Sequence, residues 1–181
     1  MGNLLLGVAP TVDSDCYKPR KGKQFLTDGL AFTAGDYGYW HSCKGNAWAK
    51  FALPRPTKVF EVLVTNRCDG SNHRLTGAKV FIGTASGEEL RCGDPIPYTA
   101  KCATATVECG GLEGTSVILR GTATETLNVV EVAAFEGWCG PMCIALRQCW
   151  HLWHAYAFTG ADDRSTATHS HPCWQPPTAR A

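Results

Sequence analysis

Two arginines, Arg67 and Arg74, bracket an aspartate, Asp69, in the stretch TNRCDGSNHRL that runs from residue 65 to residue 75. A guanidinium group offers a planar fork of N–H donors, accepts nothing, and stays charged at any working pH. Two of them on one loop suit a ligand rich in oxygen acceptors, such as the adjacent hydroxyls and ring oxygen of a sugar. Asp69 can pair with one arginine, hold its plane and accept from a hydroxyl, and bracing of that kind reduces the entropy lost on binding. His41 and Asn72 add further hydrogen-bonding groups. The competing reading is a solvated hairpin tip whose Arg–Asp pair only steadies the turn, since exposed ion pairs contribute little.

Such a loop needs elements to hold it. Apolar, β-branched runs recur between turn signals: AWAKFAL (47–53) ending at Pro54 and Pro56, KVFEVLVTN (58–66), AKVFIG (78–83), TATVEC (104–109), TSVILRG (115–121) and LNVVEVAAF (127–135). In the second run Phe60, Val62 and Val64 alternate with Glu61 and Thr65, the period of a half-buried strand. Helical periodicity is absent before residue 138, and the spacing fits an all-β sandwich or jelly roll.

Composition narrows the function. The chain has 181 residues, 17 basic and 16 acidic side chains, and a net charge of +1. It lacks the basic surface that nucleic acid or an anionic membrane demands, and no apolar run approaches the roughly 20 residues that span a bilayer. Ten cysteines point to a disulfide framework in an oxidising compartment, with metal ligation as the rival. The opening MGNLLLGVAP has no basic region and too short an apolar core for a signal peptide, and Leu6 stands where myristoylation needs Ser or Thr. The cysteines weigh more, so the expected location is secreted or extracellular. Neither Gly-x-Ser-x-Gly, His-Glu-x-x-His nor a catalytic carboxylate pair stands out, so no enzyme is expected.

The run Asn-Arg-x-Asp-x4-Arg-Leu, following the strand pattern Val-x-Val-Thr-Asn-Arg, resembles the F-type lectins, the fucose-binding family that includes eel agglutinin. NLLLGVAPTVDS, LTDGL, HSC, GAKVFIG and LNVVEV match further landmarks in order, so the resemblance covers about residues 2 to 136. It implies a jelly-roll β-sandwich over residues 1–137, related to discoidin and coagulation-factor C-type domains. Arg67, Arg74 and a histidine would bind fucose in a shallow loop pocket, with Asp69 orienting the arginines. The implied partners are fucosylated glycans or glycoproteins, and a shallow site of this kind gains avidity from several copies or homo-oligomerisation. A discoidin-like adhesion module for proteins or lipid head groups is the alternative.

The chain also departs from the family pattern. His41 precedes Cys43, whereas the family histidine follows that cysteine. The adjacent cysteines that form an apolar platform under the sugar are missing, which leaves Tyr37, Tyr39 or Trp40 to supply it. For the family's structural calcium the resemblance implies Asp28 and Ser42, carbonyls near Phe25 and Leu30, and Asn128 where the family has cysteine; Val129 replaces a glutamate. It further implies a Cys92–Cys109 disulfide, and leaves Cys16, Cys43, Cys68 and Cys102 unassigned. Residues 138–181 change character. Cys139, Cys143, Cys149, His151, His154, His169, His171 and Cys173 are zinc ligands by type, but their spacing matches no strong ligand pattern, and disulfides, an extension without fixed structure or a misread exon are the preferred readings. The stretch from Ile144 to Phe158 reads as a short helix ahead of a polar, Pro-containing tail.

Overall fold

A computed structural model describes residues 2–16, 22–30 and 38–137, all inside the first of the two units of the chain, Met1–Gly140. The Cys/His/Trp-rich stretch, with the helix and zinc readings attached to it, lies outside the described residues, as does Tyr37. Among the described residues no helix is long and apolar enough to cross a membrane.

Eight strands carry the fold: β1 (Thr11–Val12), β2 (Trp40–His41), β3 (Trp48–Thr65), β4 (Lys79–Gly83), β5 (Glu89–Cys92), β6 (Thr104–Arg120), β7 (Asn128–Val129) and β8 (Glu131–Phe135). Two 3-10 turns, Lys23–Thr27 and Asn72–Leu75, complete it. All strand pairs are antiparallel. The main sheet runs β1-β3-β6-β4-β5, with β8 also on β3, and β2 pairs β7 separately.

Two long strands make the architecture. The first half of β3 lies between β1 and the second half of β6, which in turn pairs β4. The second half of β3 lies between β8 and the first half of β6. Strands that pass from one layer to the other at a bend turn one hydrogen-bonded path into a sandwich. Phe51, Val59, Val62, Val64, Val80, Ile82, Val117 and Leu119 fill the space between.

The bends explain where the sequence pattern misleads. The runs at 47–53 and 58–66 are one strand, because the ladder breaks between Ala52 and Thr57 and both prolines sit in that break. A proline without an N–H is tolerated where no ladder bond is due. The runs at 104–109 and 115–121 fuse likewise through Gly110 and Gly111, at φ 62° and 83°. Conversely, LNVVEVAAF divides into β7 and β8. The strand β5, only four residues and half of them charged, gives no clear apolar run in the sequence. Residues 61–65 are buried on both faces rather than one.

Among the described residues three disulfides tie the frame: Cys92–Cys109, as the resemblance implies, together with Cys16–Cys43 and Cys68–Cys102. Gly114 marks the tightest approach of β6 to β4, where a Cβ would overlap Ile82 and the Gly83 carbonyl. Gly114→Ala is therefore expected to lower the urea midpoint by the equivalent of about 1 to 3 kcal/mol, the usual cost of overpacking; an unchanged midpoint would contradict the close approach.

Candidate functional site

At the end of β3 the chain turns into the arginine loop, and Asn66 anchors the turn. Asn66 is fully buried. Its amide donates to the carbonyls of Asn72 (2.9 Å) and Thr99 (2.8 Å), while its oxygen accepts from the Arg67 N–H (2.9 Å). A second attachment follows at once: the Cys102 N–H donates to the Arg67 carbonyl at 3.1 Å, and Cys68 is bonded to Cys102. Cys102 holds φ 60°, a conformation uncommon outside glycine. Segments 66–75 and 96–103 are thus fixed to each other before any side chain reaches outward.

Arg67 is 6 % exposed. Its Nε and Nη2 pair with both oxygens of Asp69, its Nη1 donates to Asn128 Oδ1, and its Nη2 also donates to Tyr39 Oη at 3.1 Å. The Tyr39 ring lies 4.7 Å from the guanidinium carbon, within cation–π reach. A buried guanidinium is tolerable when protein groups supply a counter-charge and acceptors in this way. Arg74 differs. Its side chain is 28 % exposed; Nη1 donates to Asn128 Oδ1 at 3.2 Å, and Nε stands 3.8 Å from Glu125. Its Nε, like that of Arg67, meets no acceptor in hydrogen-bond geometry among the described residues, but Arg67 Nε is ion-paired with Asp69 Oδ1. One arginine is saturated by protein, and the other keeps donors.

Asn128 joins the two. Its oxygen accepts from both guanidinium groups, and its Nδ2 donates to the Leu127 carbonyl at 2.7 Å. Because β2 pairs β7 with His41 opposite Asn128, His41 shares that face of the ladder, 6.5 Å from the Tyr39 ring. The structure therefore gathers Arg67, Asp69, Arg74 and His41 around Asn128. That residue was expected among cation ligands; its side chain instead holds the arginines. Of the aromatics expected to form an apolar platform, Trp40 is core, fully buried with its Nε1 donating to the Ser14 carbonyl. Tyr39, 5 % exposed, braces Arg67.

The remaining residues expected in a calcium cage lie around the first 3-10 turn, which packs against β8 and β2. Asp28 caps it and accepts from the Leu30 N–H at 2.9 Å. Phe25 lies within the turn. Ser42 is fully buried; its hydroxyl donates to the Lys44 carbonyl and accepts from the Leu127 N–H. Sequence reasoning passed over Glu131, the carboxylate that faces Asp28. Its Oε1 accepts from the Gly29 N–H at 3.3 Å, and its pKa is pushed up to about 9, first by burial and then by the charge and hydrogen bond of Asp28, against the pull of Gly29. Two acids this close hold a proton between them. A hard divalent cation could take the proton's place, since Ca²⁺ favours carboxylate and carbonyl oxygens. Two carboxylates supply the charge such an ion needs, and no cluster of three or more acidic, His or Cys side chains occurs among the described residues.

No protein-family model and no curated protein sequence matches the chain. Solved structures do. The lectin domain of lectinolysin, in complex with Lewis b antigen, superposes with a TM-score of 0.66 at 22 % identity, over 76 % of this chain and 98 % of that one. A fucolectin from striped bass (Morone saxatilis) serum gives 0.66 at 25 % identity, over 76 % of this chain and 48 % of that one. A CBM32 module from Clostridium perfringens, in complex with GalNAc-β-1,3-galactose, gives 0.62 at 14 % identity over 74 % and 99 %. The fold is that of the fucose-binding lectin modules and their discoidin-like CBM32 relatives, as the sequence resemblance implies.

The bracing can be tested without ligand. Asn66→Ala strips three buried bonds from the turn and is expected to lower stability by about 2 to 3 kcal/mol in urea denaturation. Replacing Cys68 and Cys102 together by serine removes up to roughly 3 to 4 kcal/mol of loop-closure constraint. An Asn66→Ala loss well below 1 kcal/mol would show that the turn is held by other means.

Proposed function

We propose that this domain binds glycans without chemical turnover, taking a terminal L-fucose in the pocket above Asn128. The supporting observation is the contrast between the two arginines. Arg67, saturated by Asp69, Asn128 and Tyr39, forms a rigid floor, and Arg74, locked at one end on Asn128, directs its remaining donors to the sugar's hydroxyls and ring oxygen. His41 flanks the pocket from β2, and the exposed edge of Asp69 accepts from a hydroxyl. The sugar-binding neighbours of the fold support the ligand class. Three disulfides favour an extracellular setting.

Calcium belongs to the same proposal as a structural ion. Asp28 and Glu131 would hold it with nearby main-chain carbonyls, Phe25 and Leu30 among the candidates. When bound it neutralises the acid pair and ties the loop after the first 3-10 turn to β8.

The discoidin-like adhesion reading draws on one feature: Leu6 and Leu30, 50 % and 57 % exposed, both beside the first 3-10 turn. An adhesion surface would use these leucines rather than the arginines.

Calorimetric titration with L-fucose is expected to give a dissociation constant in the micromolar to millimolar range, about −8 to −4 kcal/mol. Arg74→Ala should abolish the heat while leaving the unfolding temperature close to wild type, since that side chain braces little. Undiminished binding in Arg74→Ala, or none in the wild type, rejects the fucose pocket. For the ion, saturating calcium at a hundredfold excess over its dissociation constant should stabilise the fold by about 2.7 kcal/mol relative to chelator. Glu131→Gln, a mimic of the neutral acid, should erase that gain yet unfold near the wild-type temperature in chelator. A melting curve indifferent to calcium would exclude the ion.

A further inference from the structure

Tyr98 is the most exposed of the large apolar or aromatic side chains described, at 68 %. Its ring is wet, but its position is fixed. The phenolic oxygen accepts from Asn72 Nδ2 at 3.0 Å, and the same amide donates to the Thr99 carbonyl at 3.1 Å. Asn72 is itself buried, with its carbonyl held by Asn66. On either side of Tyr98 the backbone is pinned. Ile96, buried, exchanges main-chain bonds of 2.8 Å with Ala78 and Gly77. Thr99 receives both asparagine amides, and its hydroxyl closes on the Pro97 carbonyl at 3.0 Å. Pro97 restricts the preceding dihedral.

A surface tyrosine with no ligand needs none of this. A buried asparagine amide that holds one exposed ring by its hydroxyl preorganises a contact, so the ordering entropy is met before the ligand arrives. Its placement says which ligand. Asn72 and Arg74 belong to one 3-10 turn, about 4 Å apart along its axis at roughly 2 Å per residue. That turn packs against β7, with Arg74 reaching Asn128 there and Asn72 reaching Tyr98. The ring and Arg74 are therefore fastened to one short turn, one through Asn72 and the other directly.

We infer that Tyr98 forms a second subsite, an aromatic platform for the C–H face of the pyranose linked to the sugar in the Arg74 pocket. The inference rests on the proposed carbohydrate binding and extends it from a terminal residue to a disaccharide unit. An aromatic face suits an apolar sugar face, while the anchored hydroxyl keeps the ring from turning.

The test compares L-fucose with fucosyllactose, in which galactose follows the fucose, by calorimetry on the full chain. Wild type should bind fucosyllactose more tightly than fucose. Tyr98→Ala should weaken fucosyllactose about three- to tenfold and leave fucose within twofold. Tyr98→Phe keeps the ring but frees it from Asn72, and should fall between the two. Equal weakening of both sugars by Tyr98→Ala would overturn the inference, because the residue would then only shape the loop. So would a wild type that binds fucose and gains nothing from the added galactose. Binding of neither sugar would reject the carbohydrate reading itself, and the subsite with it.

Discussion

A guanidinium group taken out of water must find a counter-charge and an acceptor for each donor, or the fold is lost. Arg67 imposes that demand on this domain, and the loops around it are arranged to meet it. Asp69 comes from its own loop, Tyr39 from the residue before β2, and Asn128 from β7. These three lie far apart in the chain and must converge for the arginine to stay buried. What that convergence leaves nearer the surface is Arg74, tied to the same Asn128. Arg67 thus acts chiefly through the groups it gathers.

Convergence is possible because β3 and β6 are long and bent. Each crosses both layers, so both ends of the sandwich are built from continuous strands. The main chain between β3 and β4 can then be fastened to the chain before β6 by Asn66, by the Cys102 N–H and by the Cys68–Cys102 bridge. Rigid attachment of this kind means that the loop is ordered before any contact is made, so less ordering entropy is lost on binding. The Asp28–Glu131 pair raises a different constraint. Burial and the neighbouring charge of Asp28 raise the pKa of Glu131, so that edge of the domain carries a coupled acid pair.

Much of this was legible in the amino-acid sequence. The β-branched runs fixed the all-β class, because period-2 burial is written locally. The Arg-x-Asp-x4-Arg spacing marked the loop, since Arg67 and Asp69 are near neighbours whose pairing needs no tertiary information. Strand ends were less legible. Pro54 and Pro56 read as terminators, yet the chain continues through them, because a bulge removes the ladder bonds that proline cannot make. Glu131 was passed over because an acid in a strand reads as a solvent-facing residue, and only the approach of Asp28, with Gly29 bonding across 102 positions, makes it half of a pair.

The sequence by itself determined which residue types were available: a sandwich's worth of alternating strands, two arginines with an acid between them, and cysteines enough for an oxidised frame. Only the tertiary structure decided how those groups divide their work. That Arg67 is saturated while Arg74 is not depends on Asn128, 61 and 54 positions away. That Trp40 is core while Tyr98 is exposed depends on what each meets: Ser14 and the interior for one, the Asn72 amide at the surface for the other. Side-chain chemistry is carried by each residue alone, but hydrogen-bond saturation and burial are properties of neighbours, and distant neighbours are set by the fold.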